Sequence, residues 1–211
     1  MKTIKDERMN KISKIRKGCW VNLENPTKRE IKEIAEKLKI QKDWLYSSID
    51  IDEEPRIEVD KQNVLIVVRV PCKSDEKEIK TMPVGIIVKN DMIVTVSLEP
   101  NLVIDDIKNN IVNVYTTQRV RFVLKFLERA SYYYDNFIHE LAKMSEQIED
   151  MLTRSLSNEE IYKLLIIQKT LIYFSSATFS NEIVFEKIRS SRVFKLYEND
   201  VDLIEDIILL N

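Results

Sequence analysis

Glycine is nearly missing from this sequence: Gly18 and Gly85 are the only two in 211 residues. A glycine-rich phosphate loop, a dinucleotide-binding fingerprint and a collagen repeat all need more. Histidine is rarer still, with His139 alone, and the two cysteines, Cys19 and Cys72, stand far apart. Together they cannot supply the four protein ligands of an ordinary Cys/His zinc site. A nucleophile–histidine catalytic site would have to use His139, and no local signature of one surrounds it. An excess of one charge is missing too: 33 Lys and Arg stand against 35 Asp and Glu, so there is no global footprint for nucleic acid. No apolar run approaches the roughly 18 residues that span a bilayer. Residues 1–17 contain no apolar core of a signal peptide. Two separated cysteines in so long a chain read as free thiols of a reducing compartment. The expectation is a soluble, cytoplasmic chain.

What is present describes a folded protein. Charged residues make up 32% and apolar ones 44%, and the length suits one domain, or one domain with an extended appendage. Basic residues cluster early, at Lys2, Lys5, Arg8, Lys11, Lys14, Arg16 and Lys17. A solvated arm or edge is the simple reading; an anionic membrane or nucleic acid is the other.

The chain divides near residue 117. Before it, strands and short helices alternate. Trp20–Leu23 alternates as a strand, and Thr27 with Glu30 forms a capping box for a helix whose inner face is Ile31, Ile34, Ala35 and Leu38. Arg56–Val59 alternates. Val64–Val70 is a β-branched run suited to a strand buried on both faces. Val84–Val88 and Met92–Val96 flank Lys89-Asn90-Asp91 as a hairpin, and Leu102–Ile107 reads as a short amphipathic helix. This is an α/β layer structure with at least one antiparallel pair.

After residue 117 the pattern is helical. Val120, Val123, Leu124 and Leu127 lead into a seam of Tyr134, Phe137, Leu141, Met144, Ile148 and Met151. Ser157 with Glu160 predicts the start of a second long helix, continued by Leu164, Ile167, Leu171, Phe174 and Thr178. Two long helices joined by a short loop run antiparallel. Val201, Ile204, Ile207 and Ile208 mark a last helix that stops at Asn211 without a terminating signal, which reads as a helix cut in its middle.

The order of these elements resembles the cytoplasmic domain of the CorA family of Mg2+/Co2+ transport proteins. The residues that carry the resemblance are Trp20-Val21-Asn22-Leu23, the helix after Pro26, and the acidic Ile49–Glu58 stretch with its Pro55-Arg56-Ile57-Glu58 segment. The Val64–Val70 strand, the Thr81–Val96 hairpin and the paired long helices follow in family order. The family's Gly-Met-Asn tripeptide and both membrane helices are absent. The resemblance implies an α/β/α sandwich with a mixed sheet over 1–117, a long antiparallel helical hairpin over 118–195, and the start of a stalk or pore helix over 196–211. It implies a regulatory, Mg2+-sensing domain on the cytoplasmic side of a cell membrane. The intact transporter is expected to be a homopentamer, this part of it a monomer or weak oligomer, and no enzymatic chemistry is expected. A zinc-transporting relative and a helical interaction module without an ion role are the alternatives.

Mg2+ is a hard cation that keeps several waters and needs one or two carboxylates per partner. By position in the family pattern, Asp200 and Glu128 are the metal-binding candidates, with Co2+ or Ca2+ able to substitute. The family's partner acid falls on Ser47, which carries no charge; Asp50 or Asp52 would have to replace it. Asp202 lies four residues from both Glu198 and Asp206 on the same helix, a spacing that ordinary solvated faces also show. Tyr132, Tyr133, Tyr134, Met144 and Met151 are expected in core or interface, and His139 on the surface.

Overall fold

The computed structural model describes residues 2–6, 9–73, 79–152, 158–190 and 193–211, with the backbone alone for 150–152. Arg8, Ser157 and the side chain of Met151 therefore lie outside the described residues.

Six strands form one mixed sheet in the order β1-β2-β6-β5-β4-β3. They are β1 (Lys2–Lys5), β2 (Trp20–Glu24), β3 (Arg56–Asp60), β4 (Asn63–Lys73), β5 (Ile79–Val88) and β6 (Ile93–Ser97). The β2–β6 pair is parallel and every other pair antiparallel. Strands β4 and β5 both lie inside the sheet with a neighbour on either side, which explains their β-branched composition: in β4, Ile66, Val68 and Val70 enter one core and Leu65 and Val67 the other.

One face of the sheet carries α1 (Lys28–Leu38) and α2 (Lys42–Ser47). The expected capping box is present: Glu30 N–H donates to Thr27 Oγ1 at 3.2 Å, and Thr27 N–H donates to Glu30 Oε2 at 2.9 Å. Ile31, Ile34, Ala35 and Leu38 pack inward. The helix ends where Lys39 turns left-handed at φ 53°. The other face carries α3 (Leu102–Lys108), the base of α4 (Arg119–Leu152), the end of α5 (Asn158–Ser190) and α6 (Glu198–Leu210). The result is the α/β/α sandwich with a mixed sheet. Trp20, Phe122, Phe185, Ile204 and Ile207 share that second core, so the three long helices are joined to the sheet rather than tethered to it.

α4 and α5 pack antiparallel through a third cluster. Tyr134 meets Phe174 edge-on at 4.9 Å between ring centroids, and Leu141 and Ile148 continue the seam toward the end of α4. Beyond Leu141 the pair is largely solvated: from Ala142 to Glu149 only Ile148 is buried. Two seam assignments need correction. Met144 is exposed at 36% and Leu171 at 44%; Thr170, Phe174, Ala177 and Asn181 hold the inner face of α5 instead. The cause is the sheet. α5 packs on β4 and β5 as well as on α4. Thr170 donates to Ile79 O at 3.3 Å, while Asn181 accepts from Arg69 N–H at 2.9 Å and donates to Arg69 O at 2.8 Å. Arg69 lies beyond the last β3 pairing, Arg56 with Val67, so the Asn181 amide continues a ladder that β3 has left.

The basic N-terminal segment is also corrected in part. Lys2–Lys5 is an edge strand, and Lys5 is 7% exposed, its ammonium bonded to Lys108 O and its pKa lowered first by burial and then by the Lys108 charge.

Candidate functional site

Asp200 sits in the first turn of α6, one turn inside the end that faces the base of α4. Its side chain is buried, with 5% of the residue exposed. Oδ1 lies 3.6 Å from a guanidinium nitrogen of Arg121 on α4, and Oδ2 accepts from the Tyr197 N–H at 3.3 Å. Local sequence explains the second contact: an acid three residues into a helix reaches back to the N-cap backbone. The fold supplies the first. Both contacts are long, so the carboxylate is held loosely by two neighbours rather than tightly by one.

A cavity of about 560 Å³ opens beside it, walled by Thr117–Arg121 and by Lys195, Tyr197, Asn199 and Asp200. Its charged lining is Arg119, Arg121 and Lys195 against Asp200 alone. The basic character of this wall is what sequence reading missed. The signal was available: α4 opens with Arg119 and Arg121 and has no acid in its first turn, where a helix dipole favours one.

Glu128 is elsewhere. It lies two turns along α4 from Arg121, roughly 10 Å of helix axis, and its carboxylate accepts from Lys125 Nζ at 2.8 and 3.0 Å. It lines a separate cavity of about 450 Å³ with Lys125, Arg129, Tyr132 and Leu210. Arg129 stacks on Tyr132, 4.1 Å from its ring centroid, and pairs with buried Asp106, which also accepts from Tyr133 Oη at 2.6 Å. That network ties α3 to α4. Within one copy the fold does not bring Asp200 and Glu128 together.

Ser47 ends α2. Its hydroxyl donates to Asp43 O at 2.8 Å and accepts from Arg56 at 3.3 Å. Arg56 also pairs with Glu53 and Glu58, and Trp44 Nε1 donates to Glu58 at 2.7 Å. Arg56 and Trp44 hold Glu58 ionised below the usual glutamate range, against a smaller opposing effect of burial. The Pro55-Arg56-Ile57-Glu58 segment is therefore spent on fastening β3 to α2. Asp50 accepts from the Asp52 N–H at 3.1 Å in a tight turn. Among the described residues no three carboxylate, imidazole or thiol groups converge as metal ligands do.

Cys19 and Cys72 are free and buried. Burial raises both thiol pKa values, that of Cys72 to about 11. His139 is on the surface, with Nδ1 2.9 Å from Asp135 O. Tyr134 is buried, Tyr133 is partly buried, and Tyr132 is 45% exposed. Among the described residues no helix is long and apolar enough to cross a membrane.

A mixed six-stranded sandwich with two long helices and a third helix returning to their base is the architecture of a known class. The sequence model for CorA-like Mg2+ transporter proteins matches residues 16–209, and the chain belongs to that family. A curated relative, the cobalt/magnesium transport protein CorA of Methanocaldococcus jannaschii, is 24% identical over 197 residues. The match takes in 89% of this chain, which spans 60% of that relative's length. The soluble domain of CorA from the same organism superposes with a TM-score of 0.89 at 21% identity, over 100% of this chain and 87% of that one. The cytoplasmic domain of ZntB from Vibrio parahaemolyticus superposes with a TM-score of 0.74 at 11% identity, over 98% of this chain and 87% of that one.

Proposed function

We propose that this chain is the cytoplasmic regulatory part of a CorA-like divalent-cation transporter, and that Mg2+ acts on it at Asp200. The observation that supports the reading is the place of that carboxylate. It is buried in the first turn of α6 and its partner stands on α4, so an ion that takes Asp200 changes how two helices hold each other. The mechanism is a population shift. Mg2+ shared between neighbouring copies favours one arrangement of the helices, and its loss releases them. The assembled transporter is a homopentamer with this chain on the cytoplasmic side of the membrane, and its role is transport rather than catalysis. Mg2+ or Co2+ is the cargo; a zinc cargo is the nearest variant, because the same fold serves the ZntB domain.

The electrostatics set the affinity. Asp200 carries Arg121, Glu128 carries Lys125, and Ser47 adds no charge. An incoming cation must displace a protein cation at either acid, so binding is weak and Ca2+ competes well. Binding to the folded state alone stabilises by about 2.7 kcal/mol at one hundred times the dissociation constant.

The test is a thermal melt with and without millimolar Mg2+, for the wild type and for Asp200→Asn, with light scattering to follow self-association. A modest rise in the wild type that Asp200→Asn abolishes, and Glu128→Gln only reduces, supports the reading. Equal responses in wild type and Asp200→Asn overturn it. They favour a helical interaction module instead, for which the outward face of α5 speaks: Leu165, Ile172, Phe179 and Ile183 are 46–68% exposed there.

A further inference from the structure

The cavity beside Asp200 has more positive charge than Asp200 can offset. Three cations line it, and Asp200 lies near one of them, Arg121. Arg119 has no ion pair among the described residues. The Lys195 ammonium rests 5.7 Å from the Tyr197 ring centroid rather than on a carboxylate. The backbone adds to the same sign, because the 34-residue helix α4 begins in this wall with no acid in its first turn. Cations at that place oppose the helix dipole unless an anion sits with them. At about 560 Å³ the space falls in the range of small-molecule sites. A single tetrahedral anion fills little of it.

We propose that this cavity binds a ligand bearing two or more phosphate groups, either a free oligophosphate or the phosphate chain of a nucleotide. Arg119 and Lys195 are its anchors. The Arg119 guanidinium offers the planar fork that grips phosphate oxygens in pairs, and Lys195 supplies a mobile point charge. Tyr197, 67% exposed at the rim, offers a ring face to whatever the phosphate carries. The site differs from the Mg2+ role of Asp200 in the sign of its ligand, and it stands or falls separately.

Isothermal titration calorimetry on the 211-residue chain tests it, with pyrophosphate, ATP and adenosine as probes and EDTA present to remove Mg2+. The expected result is saturable, salt-sensitive binding of pyrophosphate and ATP. Arg119→Gln and Lys195→Gln should each weaken it about tenfold or more, the usual scale for a lost charge-assisted contact. Lys14→Gln, a surface control on another part of the chain, should leave it unchanged. ATP binding tighter than pyrophosphate assigns a nucleotide; equal affinities assign an oligophosphate. Lys195 precedes α6 in an irregular segment, so its variant keeps the test open if Arg119→Gln fails to fold. No saturable binding at millimolar ligand overturns the proposal. So does binding that both variants retain, binding that Lys14→Gln weakens equally, or binding of adenosine as tight as ATP.

Discussion

Gly85→Ala should be among the most damaging single-methyl changes in this chain. Gly85 lies mid-strand in β5, opposite Val67 of β4 and Val96 of β6, and faces the layer of α1 and α2. A Cβ there would stand 1.8 Å from Ser48 Oγ and 2.6 Å from Ser48 Cβ. Ser48 cannot swing aside: it is fully buried at the end of α2, with its hydroxyl donating to Trp44 O at 2.6 Å. The methyl must therefore push α2 off the sheet, and α2 carries Trp44 and the contacts to Glu58. Overpacking a tight core costs about 1–3 kcal/mol, and a clash that reaches the Cβ of a fully buried side chain belongs at the upper end. For a chain of this size that corresponds to a drop of roughly 6–12 °C in melting temperature. Ser48→Gly removes both clashing atoms. The double variant should then recover most of the loss, and a double-mutant cycle should give a coupling energy of about 1 kcal/mol or more. Thermal and urea melts of the four proteins read this directly. An unchanged midpoint for Gly85→Ala, or additive effects of the two changes, would refute the close approach of α2 to β5.

Other consequences are open to the same kind of measurement. Leu141→Asp puts a charge on the buried α4–α5 seam and should cost roughly 3 kcal/mol or more; a normal melt would mean that this face looks at solvent. The depressed pKa of Glu58 makes its contribution to stability present above the ordinary glutamate value of 4.5 and lost as pH falls through its lower folded value. Glu58→Gln should therefore flatten the acid limb of a stability–pH curve followed by Trp44 fluorescence; an unaltered acid limb would remove Glu58 from that role. Cys72, buried and raised to about 11, should resist alkylation by iodoacetamide in the native protein at pH 8 and react on unfolding. Native-state labelling as fast as that of a small thiol would contradict its placement in β4.

Features set by neighbours in sequence were legible in advance. The Thr27–Glu30 capping box is a contact across three residues, and the inner face of α1 follows from helical spacing. The β4 run shows its two-sided burial in its composition, since no polar residue interrupts Val64–Val68. The Lys89–Asp91 turn brings β5 and β6 together over a short loop. Each of these depends on backbone geometry within one or two elements. The family resemblance rests on the order of such elements, which is why the sandwich and the hairpin could be anticipated together.

The tertiary structure alone decided what depends on distant segments. Lys2–Lys5 has the composition of a solvated arm and becomes a strand because β2 offers it a free edge. The parallel pairing of β2 with β6 joins segments separated by most of the sandwich, and no local pattern encodes it. The register of α5 is fixed by Thr170 and Asn181 bonding to sheet backbone, so Leu171 turns outward although its spacing fits a seam. At the candidate site, sequence marked Asp200 as an acid. Only packing placed it in the interior, gave it Arg121 as a partner and set it on the wall of a cavity that Arg119 and Lys195 also line. A carboxylate's chemistry is set by the charges and dielectric around it, and those come from segments that meet only when the chain has folded.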